Sequence, residues 1–329
     1  MIIRDYDILN EQLKSSGRIL CIHGHSYEKF TKLRDMINAL PNVIHFTDFT
    51  PNPKLEEAKR ASEIESDVIL SVGGGSAIDL GKYAKMNNPN AKLIVIPTTA
   101  GSGSEATRYA VLYENGKKLS LTDDNMLPDF VMFDPELLKH LPEYHRKSSA
   151  LDAFSHALES SWSVNANPES REYSHKALGN ITRILECYPE SYDYEAMQEN
   201  AYIAGKAINI SQTTAGHAMS YRITGIFGIA HGHSTALCNR VLFKWLVENT
   251  KLEALNDIAH SMRCDTPEEA ASKYEGIIDR MNLEVPVADE MQMRELVNSV
   301  NPERLKNFPV CLDEHTIHQL YLLILKVRD

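Results

Sequence analysis

Residues 66–85 read SDVILSVGGGSAIDLGKYAK, and this stretch decides the fold. Val68 to Val72 form a near-continuous apolar run that reads as a buried strand. Three glycines follow, and a helix opens at Ser76. A strand, a tight glycine turn and a helix N-terminus together make an anion site, because free backbone N–H groups and the helix dipole both face the turn. Gly73, Gly74 and Gly75 let a diphosphate approach the backbone with no Cβ in the way. The run is not the G-x-G-x-x-G fingerprint of dinucleotide folds. Downstream, KLIVIPTT (92–99) reads as a second strand and ends in AGSGSEAT (100–107). Two Gly/Ser/Thr-rich loops at the carboxyl ends of two strands suit one nucleotide lying across the sheet.

On either side of this core, residues 18–134 alternate β-rich runs with helical segments: RILCIH, then SYEKFTKLRDMINAL; VIHF, then KLEEAKRASEIE. Such alternation implies parallel strands joined by right-handed crossovers. TRYAVLY and KKLSLT flank Glu114-Asn115-Gly116, a hairpin turn signal. DFVMFD supplies another strand, and Pro135 starts a short helix. From about Leu141 the β signal disappears. Helical patterns follow at residues 143–163, 168–187, 195–214, 232–248, 251–263, 267–281 and 313–327. The expected class is α/β: an N-terminal doubly wound, Rossmann-like parallel-sheet domain over residues 1–141, and an all-helical C-terminal domain over 142–329.

Four side chains of the second half have the character of metal ligands. Asp152 and His156 stand four apart in SALDAFSHALES, so on a helix they project from one face. His217 in TTAGHAMSY and His231 in GIAHGHS lie fourteen apart, in Gly-rich segments expected to run helix-then-turn. One carboxylate and three imidazoles suit Fe(II) or Zn(II) and are too nitrogen-rich for Ca or Mg.

GGGSAID, PTTAGSGSEAT, DPELLKHLP, LDAFSHALE, GHAMSY and AHGHS, in that order, resemble the iron-containing (group III) alcohol dehydrogenases, which are similar in fold to glycerol dehydrogenase and dehydroquinate synthase. The resemblance implies that Asp152, His156, His217 and His231 hold the metal. It implies a diphosphate loop of Gly73, Gly74, Gly75, Ser76 and Asp79, a nicotinamide-side loop with Thr98, Thr99 and Ser102, and a nucleotide contact from Lys118. The cofactors implied are Fe(II) or Zn(II) and NAD(P)(H). Members that prefer NAD often carry an acidic residue just past the first strand, where this chain has Gly24 between His23 and His25. That absence leans the expectation to NADP(H). Many members also place a proton-relaying histidine four residues after the third ligand. Here that position is Tyr221, whose unperturbed pKa near 10 makes a different kind of relay, and His233 is the alternative. SEATRYAVLYENGKKLSL, ESSWSVNANPES and GHAMSYRITGIFGIAHGHS look most like the phosphonoacetaldehyde reductase branch. An anionic aldehyde would need cations beside the metal. Arg222 and Arg108 are the candidates, with Arg146 and Lys147 preceding the metal helix. The alternatives are a polyol or simple-alcohol dehydrogenase, or a lyase of the dehydroquinate-synthase kind. The resemblance also implies a homodimer.

A net charge of −11, from 34 basic against 45 acidic residues, argues against a nucleic-acid or anionic-membrane partner. Five dispersed cysteines with no C-x-x-C pair fit a reducing compartment. MIIRDYDILNEQLKSSG lacks the basic-then-apolar pattern of a signal peptide. The expected location is the cytoplasm.

Overall fold

The computed structural model describes residues 1–328 and divides into two compact units, Met1–Pro142 and the chain from Glu143 onward. In the first unit the strands are β1 (Ile2–Ile3), β2 (Ile19–His23), β3 (Val43–Phe46), β4 (Val68–Gly73), β5 (Lys92–Pro97), β6 (Tyr109–Glu114), β7 (Lys117–Thr122) and β8 (Phe130–Met132). The helices between them are α1 (Tyr6–Lys14), α2 (Thr31–Asn38), α3 (Leu55–Ser62), α4 (Gly75–Asn87) and α5 (Pro135–Leu138). Six strands form one sheet in the order β1-β8-β5-β4-β2-β3, parallel at every pairing. Alternate residues of its central strands are buried on opposite faces. Leu70 and Ile96 pack with Leu9 of α1 and Leu33 of α2, while Ile69 and Val95 pack with Ala58 of α3 and Ile78 of α4. Helices therefore cover both faces, which is why these strands read as continuous apolar runs.

The chain passes outward from β2 to β3 and then returns to the other side of β2 to lay down β4. The direction of winding thus reverses between β2 and β4, where open α/β sheets bind ligands beyond their carboxyl ends. Gly24 follows β2 and Gly73 ends β4 at this reversal. β6 and β7 form the expected hairpin, with Asn115 and Gly116 both at positive φ (50° and 75°), the backbone of a type I′ turn. The hairpin is a separate two-stranded sheet.

Under that hairpin lies a buried ionic network. The side chain of Lys82 on α4 is fully enclosed, and its ammonium donates to Thr107 Oγ1 at 2.9 Å and to the Tyr109 carbonyl at 2.7 Å. Burial pulls its pKa down to about 8 against the opposing pull of Asp79 and Glu105. Burial likewise pushes the Glu105 carboxyl up to about 7.

The second unit is helical: α6 (Glu143–Trp162), α7 (Pro168–Glu186), α8 (Tyr194–Ser211), α9 (Ala215–Phe227), α10 (His231–Asn249), α11 (Ala254–Ser261), α12 (Pro267–Arg280), α13 (Glu290–Ser299), α14 (Pro302–Leu305) and α15 (Glu314–Ile324). From Ala150 to Trp162 every residue of α6 is buried, so this helix is the axis around which the others pack. Several features depart from the sequence expectation, among them α13 and α14, which lie outside every expected helical pattern. The pattern expected over 195–214 ends at Ser211, because Gln212 turns to a φ of 59° and Thr213-Thr214 lead into a new helix, α9. The unit is also not wholly helical. Val287–Ala288 and Lys326–Val327, here β9 and β10, pair in parallel, two residues each and too short to leave a period-two pattern.

Replacing Lys82 with Met is expected to destabilise the protein by about 3–5 kcal/mol, because Asp79 and Glu105 would then lie buried with no cation. The denaturant midpoint is the measurement, and a loss below about 1 kcal/mol would show that the network carries little.

Candidate metal and nucleotide sites

The axial helix α6 carries Asp152, His156 and Glu159 at positions i, i+4 and i+7, one face of two turns. The other two histidines come from helix starts: His217 is the third residue of α9 and His231 the first of α10. Both segments run turn-then-helix, the reverse of the order expected. The reason is steric. A Cβ on Gly216 would lie 2.0 Å from Asn239 Oδ1 and 2.5 Å from Glu159 Oε1. One on Gly232 would lie 2.0 Å from the Ser148 carbonyl and 2.6 Å from Asp152 Cβ. The glycine beside each ligand lets a helix start press directly against α6, with the imidazole next to it.

The result is a converging set around one oxygen. Asp152 Oδ1 lies 3.6 Å from His217 Nε2, 3.9 Å from His156 Nε2 and 4.0 Å from His231 Nε2. Ligand atoms of Asp152, His217 and His231 all fall within 4.8 Å of one another, and the His156 ring stacks on His217 with centroids 4.7 Å apart. Asp152 Oδ1 and His217 Nε2 are buried and make no hydrogen bond. Orphaned buried polar atoms are costly and rare, and here they face one another across a gap wider than a hydrogen bond. One oxygen and three nitrogens in that arrangement fit a divalent transition ion.

Glu159 was not singled out in the sequence, although its spacing from Asp152 and His156 was there to be read. It is completely buried, and its Oε1 lies 2.6 Å from His217 Nδ1. It also accepts from the Thr214 backbone N–H at 2.5 Å, the Thr214 hydroxyl at 2.8 Å and Asn239 Nδ2 at 2.8 Å. This carboxylate–imidazole pairing sets the tautomer that leaves Nε2 for a metal. Burial alone would raise the Glu159 carboxyl, but His217 and the donated hydrogen bonds hold it down at about 2. The Asp152 carboxyl is likewise held well below the usual carboxylate range, its burial outweighed by His156, His231 and His217. Burial opposes protonation of His217, yet Glu159 and Asp152 lift its pKa to about 10 in the metal-free site.

Tyr221 stacks flat on His231, with ring centroids 5.4 Å apart and planes at 15°. It therefore borders the metal set. His233 points elsewhere, since two residues along a helix is more than half a turn. Its Nδ1 lies 3.3 Å from the Tyr144 hydroxyl, which also accepts from the Ala230 backbone N–H at 2.8 Å. His233 and Tyr144 thus fix the entry into α10, just ahead of His231. The four expected cations are all engaged. Arg222 is exposed and ion-paired with Glu295, and Arg108 pairs with Asp124 at 2.9 Å. Lys147 pairs with Glu143 at 2.9 Å, and Arg146 sits among the rings of Tyr188, Tyr192 and Tyr194. None is the unpaired buried cation that recognition of an anionic substrate calls for, because each finds a carboxylate or a tyrosine cluster within reach of its own helix or strand.

In the first unit the two expected nucleotide loops meet. The Thr98 N–H donates to the Gly73 carbonyl at 3.0 Å. A Cβ on Gly74 would touch the Thr99 side chain at 3.2 Å, and one on Gly75 the Ser102 side chain at 3.4 Å. Gly73, Gly74, Gly75, Ser76, Thr98, Thr99 and Ser102 therefore cluster at the carboxyl ends of β4 and β5. Asp79 does not join them. It is buried, accepting from Ser104 Oγ at 2.6 Å and from the Val111 N–H at 3.0 Å. It ties α4 to the second loop and the hairpin, and Lys118 on β7 adds its field to that carboxylate.

Comparison with known proteins agrees with both units. Residues 5–135 match the iron-containing alcohol dehydrogenase family, and residues 147–308 match the C-terminal domain of the Fe-containing alcohol dehydrogenase family. Phosphonoacetaldehyde reductase from Streptomyces viridochromogenes is 30% identical over 222 residues, 58% of this chain and 56% of that protein. Long-chain-alcohol dehydrogenase 1 from Geobacillus thermodenitrificans is 33% identical over 220 residues, again 58% and 56%. The match to these two relatives thus spans little more than half their length. Alcohol dehydrogenase 4 of Schizosaccharomyces pombe is 30% identical over 78% of this chain and 68% of its own. The fold matches sulfoacetaldehyde reductase from Bifidobacterium kashiwanohense, solved in complex with NAD+, with a TM-score of 0.88 at 24% identity over 98% of this chain and 96% of that one. It matches the iron-containing alcohol dehydrogenase of Thermococcus thioreducens with a TM-score of 0.89 at 22% identity, over 98% and 97%. The chain belongs to the iron-containing alcohol dehydrogenase family.

Proposed function

We propose that the protein is a metal-dependent, NAD(P)(H)-linked alcohol dehydrogenase or aldehyde reductase. The observation that carries this reading is the unsatisfied Asp152 Oδ1 with three imidazole nitrogens turned toward it. Asp152, His156, His217 and His231 would hold Fe(II) or Zn(II). When bound, the ion supplies Lewis acidity at the substrate oxygen. A bound nicotinamide would supply the hydride for the carbonyl carbon in the reducing direction, leaving the protein to deliver a proton to the oxygen. Gly73–Ser76 would hold the diphosphate on backbone N–H groups, with Thr98, Thr99 and Ser102 beside the nicotinamide and Lys118 as a further contact. Glu159 fixes the His217 ring, and Tyr144 and His233 fix the start of α10. Tyr221, which stacks on His231, would deliver the proton.

Phosphonoacetaldehyde, reduced to 2-hydroxyethylphosphonate, is the leading substrate. Its support is the likeness to the Streptomyces enzyme. Simple alcohols and aldehydes are the second reading, favoured by the ion-paired state of Arg222 and Arg108. NADP(H) is the expected nucleotide, since Gly24 offers no carboxylate to repel a 2′-phosphate. A homodimer is part of the same reading.

The deciding assay follows cofactor absorbance when metal-stripped protein, reloaded with Fe(II) or Zn(II), meets phosphonoacetaldehyde or a neutral aldehyde of similar size. Oxidation of NAD(P)H is expected. No consumption with any small aldehyde would end the reading, and a preference for the neutral one would move the substrate to the second. His231→Ala should lose metal and turnover while still binding nucleotide. A Cβ on Gly24 meets nothing within 4 Å, so Gly24→Asp fits without strain. It is expected to lower kcat/KM for NADPH by about tenfold, about 1.4 kcal/mol, and to spare NADH. An equal change with both would place the 2′-phosphate elsewhere.

Metal uptake gives a further test. A His217 that holds its proton up to about 10 must release it to bind. Affinity should therefore rise about tenfold per pH unit between pH 7 and 9, with one proton released per ion. The raised His217 pKa stabilises the metal-free fold fully below pH 6.5, a contribution lost as pH climbs through about 10. The depressed Glu159 pKa contributes above 4.5, and that contribution is lost as pH falls toward 2. Glu159→Gln should weaken metal binding about 10- to 100-fold and flatten its pH dependence. Calorimetry in buffers of different ionisation enthalpy measures both, and an unchanged proton count would rule out Glu159 as the source.

A further inference from the structure

A second cluster of soft and nitrogen donors lies in the first unit, outside the set around Asp152. In the β2–β3 ladder, Cys21 is paired with His45, so both side chains stand on one face of the sheet, and His23, two residues on, shares that face. The Cys21 thiol and a ring nitrogen of each histidine all fall within 4.8 Å of one another. We infer that Cys21, His23 and His45 form a second metal site, for a borderline-soft divalent transition ion of the Zn(II) class.

The donor chemistry is that of zinc, one thiolate with two imidazoles. His23 Nε2 lies 2.9 Å from His45 Nδ1, with one hydrogen between them. An ion replacing that hydrogen would hold the two nitrogens about 3.4 Å apart, given Zn–N bonds of about 2.0–2.1 Å. His45 is exposed on the edge strand and can yield that distance, which also gives the ion a way in. Burial lowers the pKa of both imidazoles, so each is neutral and carries a lone pair at neutral pH. A buried hydroxyl with no partner belongs to the neighbouring ring. Tyr27 stacks on His23 at 3.9 Å, and its hydroxyl is buried and makes no hydrogen bond. Burial pushes the Cys21 thiol up to about 12, so the ion displaces the thiol proton as the sulfur–metal bond forms, and that proton leaves to solvent. His23 is also the ladder partner of Val72, the residue ahead of Gly73. The site therefore lies one strand from the diphosphate loop.

Cobalt(II) separates the two sites, because only this one contains sulfur. Metal-stripped full-length protein titrated with Co(II) is expected to take up two equivalents, with a near-ultraviolet thiolate-to-cobalt charge-transfer band. Cys21→Ser and His45→Gln should each bind one equivalent fewer, the first with no band. His231→Ala should keep the band while losing the other ion. A wild-type protein that binds no more Co(II) than Cys21→Ser, or a band that survives in Cys21→Ser, would overturn the site. Should Cys21→Ser fold poorly, the exposed His45→Gln decides alone: one equivalent lost supports the site, and unchanged uptake refutes it. None of these readouts depends on catalytic activity.

Discussion

The buried carboxylate of Glu159 is the interaction on which the second unit depends. It lies on α6 and accepts from the Thr214 backbone and hydroxyl at the entry to α9, from His217 on α9 and from Asn239 on α10. A carboxylate with no access to water is tolerable only when its oxygens are satisfied, and these donors can be supplied only if three helices meet here. The requirement that stabilises the charge therefore also sets where α9 starts, at Thr214, and holds α10 against α6 two turns in, at Asn239. His217 lies three residues past Thr214, so the contact that fixes the start of α9 also fixes where that imidazole stands.

The first unit answers a comparable demand with the opposite sign at its centre. Lys82 is an enclosed cation, neutralised by Asp79 and Glu105 and bonded to the segment after the second nucleotide loop. This explains why Asp79, which the family resemblance groups with the diphosphate loop, turns inward. Its carboxylate is held by Ser104 and the Val111 N–H and feels the charge of Lys82. The two loops themselves carry no charged side chain over Gly73–Ser76 and Thr98–Gly103.

Much of this was readable in the sequence, and the exceptions have physical causes. The parallel sheet was legible because strands buried on both faces leave long apolar runs, and Asn115-Gly116 announced its turn through the positive φ it needs. Asp152, His156, His217 and His231 were picked out by residue type, by the shared helix face of the first two and above all by the family resemblance, and the structure brings the four side chains together. Glu159 shares the helix face of Asp152 and His156, but its role was hidden because the donors that bury it arrive from distant segments. The break between α8 and α9 was hidden because it rests on Gln212 at positive φ, a conformation for which glutamine gives no signal. The partners of Arg222 and Arg108 were hidden, since a sequence shows where cations lie along the chain but not which acids, Glu295 and Asp124, will meet them.

The close contact at Gly232 bears on how such a chain can change over time. A side chain there would drive α10 away from α6 and carry His231 with it, so this part of the metal set cannot erode by small, independent steps. Drift at that position would weaken helix packing and ion retention in the same event. Descendants that abandon the ion are therefore expected to lose a ligand such as His156 first, and to keep the glycine as a relic of the packing.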